Sequence, residues 1–517
     1  MRPVLRTRLP LTTIALIFGI VVASLSLISS DVPDAWEDEA ATLSAATRSW
    51  PELIHLLGNI DAVHGLYYAL MKVWFGVVGT SVFTMRLPSA VAVGVGCALT
   101  MLLASRLGSK RVAVITCVVY ACLPRVAWAA VEGRPYAMVM VAAVGLTLLF
   151  VRALERDRKS PSRVAWLWYG LAIVIAVLLN IYLAMIVVMH AVILAVACRS
   201  GRSRLLPWLI TAGSAAALLV PFALLVVGEA AQVHWIPELS VHTIRHIVLD
   251  TWFRAVWPIR GLGVFTLIAV PVGWVLLLVG VRSALKSGDR PTSGSETDDS
   301  GTVRVYPGRA LALLAFGPMV LLLTATALGK PLFAPYYLTL SAPFVAILMA
   351  IGVAGLTRRR RVVAVVLVVA VAIPSLIAIR LPHSHHEIYW SDAAELVHEQ
   401  RESSIGPDAV VFATVAQLPS ATANLVEIAY PVAFEGMRDL AVTGNRRAEG
   451  RLFDRNGDLA TLIPRRLASI DNVWIIGASG VDPRADEARR VLETNGFAVA
   501  SRTDLGPVRV LELHRSH

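Results

Sequence analysis

Residues 34–39 of this chain, Asp34-Ala35-Trp36-Glu37-Asp38-Glu39, carry four carboxylates within six positions, directly after an apolar stretch at 11–30. Taken alone, such a cluster has the composition of a solvated boundary at the end of a membrane span. The chain that follows is rich in further apolar stretches able to hold a lipid-borne substrate beside that surface, and this context gives the cluster a chemical reading. An aligned carboxylate can take the proton from a hydroxyl as it becomes a nucleophile, an effect of about 10²- to 10⁴-fold.

A second group of polar residues occurs at a later corner, Glu132-Gly133-Arg134-Pro135-Tyr136. The Glu and Arg either pair with each other and fix the corner, or face a substrate phosphate, and Pro135 opens the helix beyond them. A third corner, Lys330-Pro331-Leu332-Phe333-Ala334-Pro335-Tyr336-Tyr337, has Lys330 as its only cation. Lys330 either steers a lipid phosphate or snorkels at the interface.

The elements that must position these residues are membrane helices. At 517 residues, 56% hydrophobic and with mean hydropathy +0.67, the chain is too apolar for a soluble globule and long enough for a membrane domain plus a small soluble one. A span needs about 20 mainly apolar residues. Eleven stretches qualify, near 11–30, 83–105, 111–131, 135–152, 164–180, 182–198, 206–228, 262–281, 310–328, 336–356 and 362–380. The first follows Arg2, Arg6 and Arg8 as a signal peptide would, but no small-x-small cleavage site is followed by a soluble domain and more spans come after it, so it reads as a retained helix.

Lys and Arg set the orientation. They gather in alternate loops, at Arg106 to Arg111, Arg152 to Arg163, Arg199 to Arg204, Arg282 to Arg309 and Arg358 to Arg361, on the same side as the amino terminus. That side is expected to be cytoplasmic, which places the Asp38 loop and everything after residue 381 outside. The net charge of +11 is then an orientation signal and a headgroup contact rather than a nucleic-acid footprint. Cys97, Cys117, Cys122 and Cys198 fall in or at the ends of spans and read as packing residues.

The first outward loop, 31–81, is long enough to be structured. Helical spacing runs from Ala40 to Leu57 with a break at Ser49-Trp50-Pro51, and a polar turn at 59–65 leads to the interfacial aromatic segment 66–75. Asn180 and Tyr182 mark the tip of a helical hairpin. The loop 229–260 mixes His234, Trp235, His242, His246, Trp252 and Trp257 with charged residues, which suits sugar or headgroup contact as well as any interfacial loop. Its histidines form no metal set. Residues 284–308 read as a flexible cytoplasmic loop. From 392 onward, helices at 392–401 and 485–495 alternate with strands at 409–413, 472–477 and 508–513, the pattern of a small α/β domain at 381–517.

The Asp38-Glu39 pair after the first span, the His64-Gly65-Leu66-Tyr67-Tyr68 segment, the Glu132 to Tyr136 corner and the Pro335-Tyr336-Tyr337 corner together resemble the GT-C glycosyltransferases. The nearest likeness is to the protein O-mannosyltransferase and aminoarabinose-transferase branch, in particular bacterial cell-envelope mannosyltransferases. The resemblance covers residues 10–380, and the family's His-Pro-Pro is replaced here around His64. It implies a polytopic helical GT-C domain over 1–380 and inversion at the anomeric carbon of a polyprenyl-phosphate sugar, with mannose as the expected sugar. It implies Asp38 as general base with Glu39 as its partner, and Arg134, Glu132, His64, Tyr67, Lys330 and Tyr336 as donor-phosphate or substrate-binding residues. No cofactor is required by this reading, and the sequence supports no metal. The expected partners are the lipid-linked donor, membrane lipid and a glycan, glycolipid or protein acceptor; the expected location is the plasma membrane.

Two other classes fit a polytopic chain, a flippase of lipid-linked sugars and a non-catalytic scaffold. A flippase should carry ionisable residues in mid-span; here the charges gather at the outward ends. The intact Asp38-Glu39 pair argues against a scaffold.

Overall fold

The computed structural model describes residues 9–157, 162–197, 205–229, 235–254, 263–287, 307–385, 387–403, 406–415 and 422–516. The chain divides into two compact units: a membrane unit of Met1–Ser30, Val63–Tyr67 and Arg86–Ile379, and a mixed unit of Asp31–Ala62, Tyr68–Met85 and Arg380–His517.

In the membrane unit a helix lies at each of the eleven apolar stretches. Among the described residues, seven are long and apolar enough to cross a membrane singly: Val82–Leu107, Tyr136–Asp157, Leu205–Gly228, Ala269–Lys286, Pro307–Ala327, Pro335–Ala354 and Arg358–Ala378. The pair Lys110–Cys122 and Pro124–Ala130 supplies an eighth, bent by 64° where Pro124 denies the helix a backbone donor. The rest, Leu11–Leu27, Arg163–Leu179 and Ala184–Ala197, are shorter. Asn180 ends the Arg163–Leu179 helix and accepts from the Tyr182 amide at 3.0 Å, which makes the hairpin tip. Of the 284–308 loop, residues 288–306 lie outside the described residues; its margins extend the flanking helices.

Lipid offers no hydrophobic drive between helices, so small residues and polar contacts hold them. A Cβ on Gly352 would stand 2.8 Å from the Gly280 nitrogen, so the two glycines set how closely their helices cross. His190 has Tyr169 Oη 2.9 Å from Nδ1 and Thr147 Oγ1 3.2 Å from Nε2, and stacks on Phe150 at 4.2 Å. The Trp208 indole donates to Tyr169 Oη at 3.4 Å. This network joins four helices, and its buried imidazole is satisfied on both nitrogens.

The mixed unit is built on a five-stranded sheet. Its strands are β1 (Asp408–Phe412), β2 (Arg438–Asp439), β5 (Asn472–Ala478), β6 (Phe497–Leu505) and β7 (Val508–Arg515), in the order β2-β1-β5-β7-β6; β3 (Val442–Gly444) and β4 (Arg455–Asn456) form a separate pair. β1 runs parallel to β2 and β5, and β7 antiparallel to β5 and β6. Every residue of β5 is buried, as a central strand covered on both faces requires. Val411, Val473, Ile475, Leu511 and Leu513 meet Leu459, Ile463, Ala485, Ala488 and Leu492 from the two helices that cover one face. The expected strands and helices are present. β6 was not read from the sequence: it is a largely exposed edge strand of polar residues such as Ser501, Arg502 and Asp504, without an apolar alternation.

Residues Asp31–Ala62 and Tyr68–Met85, from the loop after the first span, fold within this same unit. Its helices Glu37–Ala46 and Trp50–Leu57 are separated at Ser49, where a capping box starts the second: the Glu52 carboxylate accepts from the Ser49 amide at 2.8 Å and Ser49 Oγ accepts from the Glu52 amide at 3.4 Å. Arg48, fully buried, donates to Ser44 O at 2.9 Å, to Arg446 O at 3.1 Å and to Arg451 O, joining residues 398 positions apart.

Candidate active site

The membrane unit holds the cationic corner. Ser89, next to Pro88 inside the Val82–Leu107 helix, donates its hydroxyl to Glu132 O at 2.6 Å and lies 3.5 Å from Arg134 O. The turn between Pro124–Ala130 and Tyr136–Asp157 is thereby pinned, and Pro135 O accepts from Val139 N at 2.9 Å to start the second helix. Arg134, only 4% exposed, points Nη2 at His64 Nε2 across 2.9 Å. A guanidinium has donors only, so Nε2 accepts and the imidazole is neutral with its proton on Nδ1. His64 thus orients Arg134 without adding charge.

Aromatic rings adjoin this corner. Trp128 and Tyr136 lie 4.9 Å apart, Tyr136 and Tyr336 5.6 Å, and Trp235 stacks on Tyr336 at 6.2 Å. Tyr67 is fully buried and Lys330 is exposed just beyond the helix Pro307–Ala327.

The mixed unit holds the carboxylates. Asp38 and Glu39 lie in the first turn of Glu37–Ala46, where the helix dipole favours negative charge. Their exposures differ: Asp38 is partly open, Glu39 wholly buried. Ahead of them, Asp34 is 1% exposed and acts as a hub. Its carboxylate takes His383 Nδ1 at 2.7 Å, the Ser391 amide at 3.0 Å and Tyr430 Oη at 3.3 Å, and its carbonyl takes His385 Nδ1 at 3.1 Å. His383 also places Nε2 3.4 Å from Asp392 and stacks on Tyr389 at 3.6 Å. His383 and Glu387 have φ of 60° and 53°, left-handed positions that cost about 1–3 kcal/mol each and mark a turn held by its surroundings. Burial, with Asp38 alongside, pushes the Glu37 carboxyl up to about 7.

Of the residues expected from the sequence, Arg134 and His64 are brought together in one unit, with the Glu132 backbone tied to the same corner, and Asp38 and Glu39 share a helical turn in the other. Sequence reading missed His383, His385, Ser391 and Tyr430. The one signal for them was the His383-Ser384-His385 cluster directly after the last apolar stretch.

The fold is shared with a known enzyme. The apo crystal structure of ArnT from Cupriavidus metallidurans matches with a TM-score of 0.58 at 12% identity, over 97% of this chain and 98% of that one. The chain has the GT-C fold. The crystal structure of ArnT from the same organism bound to undecaprenyl phosphate matches this GT-C chain with a TM-score of 0.56 at 12% identity, over the same shares. Residues 66–226 match the family model described as dolichyl-phosphate-mannose-protein mannosyltransferase. That stretch includes Tyr67, Glu132 and Arg134, and leaves out Asp38, Glu39, His64, Lys330 and Tyr336. None of the curated protein sequences matches the chain.

Proposed function

We propose that this protein is an inverting glycosyltransferase that moves mannose from a polyprenyl-phosphate donor to a cell-envelope glycolipid, polysaccharide or protein on the outer face of the membrane. The observation that carries this is the GT-C fold, which runs through 97% of the chain and is the fold in which ArnT was solved with undecaprenyl phosphate. The family model matched by 66–226 supports mannose, and the loop distribution of Lys and Arg supports the outward face.

In this reaction an acceptor hydroxyl oxygen attacks the anomeric carbon while the bond from that carbon to the phosphate oxygen breaks. Asp38, the more open member of the pair, takes the hydroxyl proton; Glu39 supports it. The leaving group is an anionic phosphate that needs a cation or hydrogen-bond donors rather than a general acid. Arg134 supplies that charge from a buried position where a guanidinium is strongly felt. Neutral His64 aims it, and Tyr67, Tyr336 and the Glu132 corner shape its surroundings, with Lys330 as a second cation. Catalysis in this scheme calls for no cofactor.

The test is transfer of radiolabelled mannose from synthetic polyprenyl-phosphate mannose by membranes carrying wild type or Asp38→Asn. Label should reach a product only with wild type, with a loss of ~10²- to 10⁴-fold in the variant. Activity retained by Asp38→Asn would remove it as base, and no transfer from any polyprenyl-phosphate sugar would overturn the enzyme reading. A reporter fused after Gln400 should be active only outside the cell.

A further inference from the structure

We infer that His385 is a positioning residue for the Asp38-Glu39 pair: its ring is tied through Nδ1 to the Asp34 carbonyl and packs beside the Glu39 carboxylate, and so fixes the helical turn that carries Asp38. This rests on the function proposed above for that pair, but the contact itself does not. His385 Nδ1 lies 3.1 Å from Asp34 O and 3.9 Å from Glu39 Oε2. Asp34 O accepts, so Nδ1 carries a proton directed at that carbonyl, and the Glu39 carboxylate stands beside the same nitrogen at ion-pair rather than hydrogen-bond distance. Both side chains are sealed from water, His385 at 3% exposure and Glu39 at none. A buried carboxylate is costly to hold without polar neighbours, and His385 is one such neighbour of Glu39.

The surrounding charges belong to the same cluster. Asp34 is held by His383 Nδ1, the Ser391 amide and Tyr430 Oη, and His383 faces Asp392 through Nε2. His383 therefore lies between Asp34 and Asp392, and His385 is the imidazole turned toward Glu39. Glu37 and Asp38 occupy the same turn as Glu39. The two histidines anchor Asp34, three residues ahead of the Glu37–Ala46 helix, and His385 also adjoins one carboxylate inside it, which restricts the direction of the Asp38 side chain. A misplacement of about 1 Å can cost about 10²-fold in rate.

Two substitutions separate positioning from bulk packing. In His385→Asn the amide nitrogen takes the place of Nδ1 and keeps the donor; in His385→Gln it falls nearer the place of Nε2. The expected result is that Gln lowers kcat by about 10²-fold with the donor KM unchanged, whereas Asn restores most of it. Equal activity in the two variants, or a change in KM alone, would overturn the positioning role. The contact is tested without any donor, by thermal unfolding of the full-length protein in detergent as wild type, His385→Gln, Glu39→Gln and the double variant. Non-additive shifts establish the pair, and additive shifts overturn the inference whether or not the protein transfers sugar. If His385→Gln accumulates only together with Glu39→Gln, that rescue reports the same coupling. Non-additive shifts without transfer from any donor would leave the pair standing and bring down the proposed function instead.

Discussion

The Arg134 corner and the Asp34 cluster solve the same problem, holding buried charge still, by opposite means. Arg134 sits in a short turn between two apolar helices, three residues from one and one from the other, and is tied by Ser89 and His64. The Asp34 cluster joins residues 349 to 396 positions apart, His383 and Tyr430 being drawn to one carboxylate. The corner inherits its geometry from helices whose apolar surface dictates where they lie; the cluster depends on the fold of the whole mixed unit. Damage at the corner should therefore be chemical, and damage at the cluster should be structural first.

Between these two regions the largest effect on transfer should come from Arg134→Ala. Removing the cation should lower transfer by ~10²- to 10³-fold and weaken donor binding more than acceptor binding, while thermal stability changes little. Arg134→Lys should restore part of it, because a point charge replaces a planar fork. An Arg134 variant that lost stability and activity in parallel would break the contrast between the regions. Asp34→Ala, by contrast, should lose stability: with His383 left facing a hole, it should fall by about 3 kcal/mol, seen as a lowered thermal midpoint.

The smallest effect is a pH dependence. The Glu37 carboxyl titrates near 7 when folded and near 4.5 when not, so the folded state binds the extra proton between those values. Its contribution to stability is full below about 4.5 and is lost as pH rises through about 7. Glu37→Gln should flatten that decline. Asp439, also raised by burial to about 7, should leave a residual slope with the same sign.

The membrane half of the fold was legible because a span must be long and apolar and its ends must be polar. Eleven apolar stretches became helices, the Ser49-Trp50-Pro51 break became a capping box, and Asn180 became a hairpin tip. The Arg134 turn was legible for the same reason: Pro124 and Pro135 punctuate it. In the mixed unit, buried β5 announced itself by its apolar run, while exposed β6 had no such signal.

Residue types and local spacing drew attention to the Asp34 to Glu39 carboxylates and to the Glu132–Arg134 corner, since charges at span ends are visible one loop at a time, and the family resemblance added the roles expected of Asp38, Glu39 and His64. They could not reveal that Asp34 is a buried hub rather than a solvated acid, that His64 is the acceptor for Arg134, or that His385 lies beside Glu39. Hydrogen bonds between residues hundreds of positions apart leave no periodicity and no local preference in a single chain. Only tertiary packing decides which donors a buried carboxylate meets, because only packing takes away the water that would otherwise serve it.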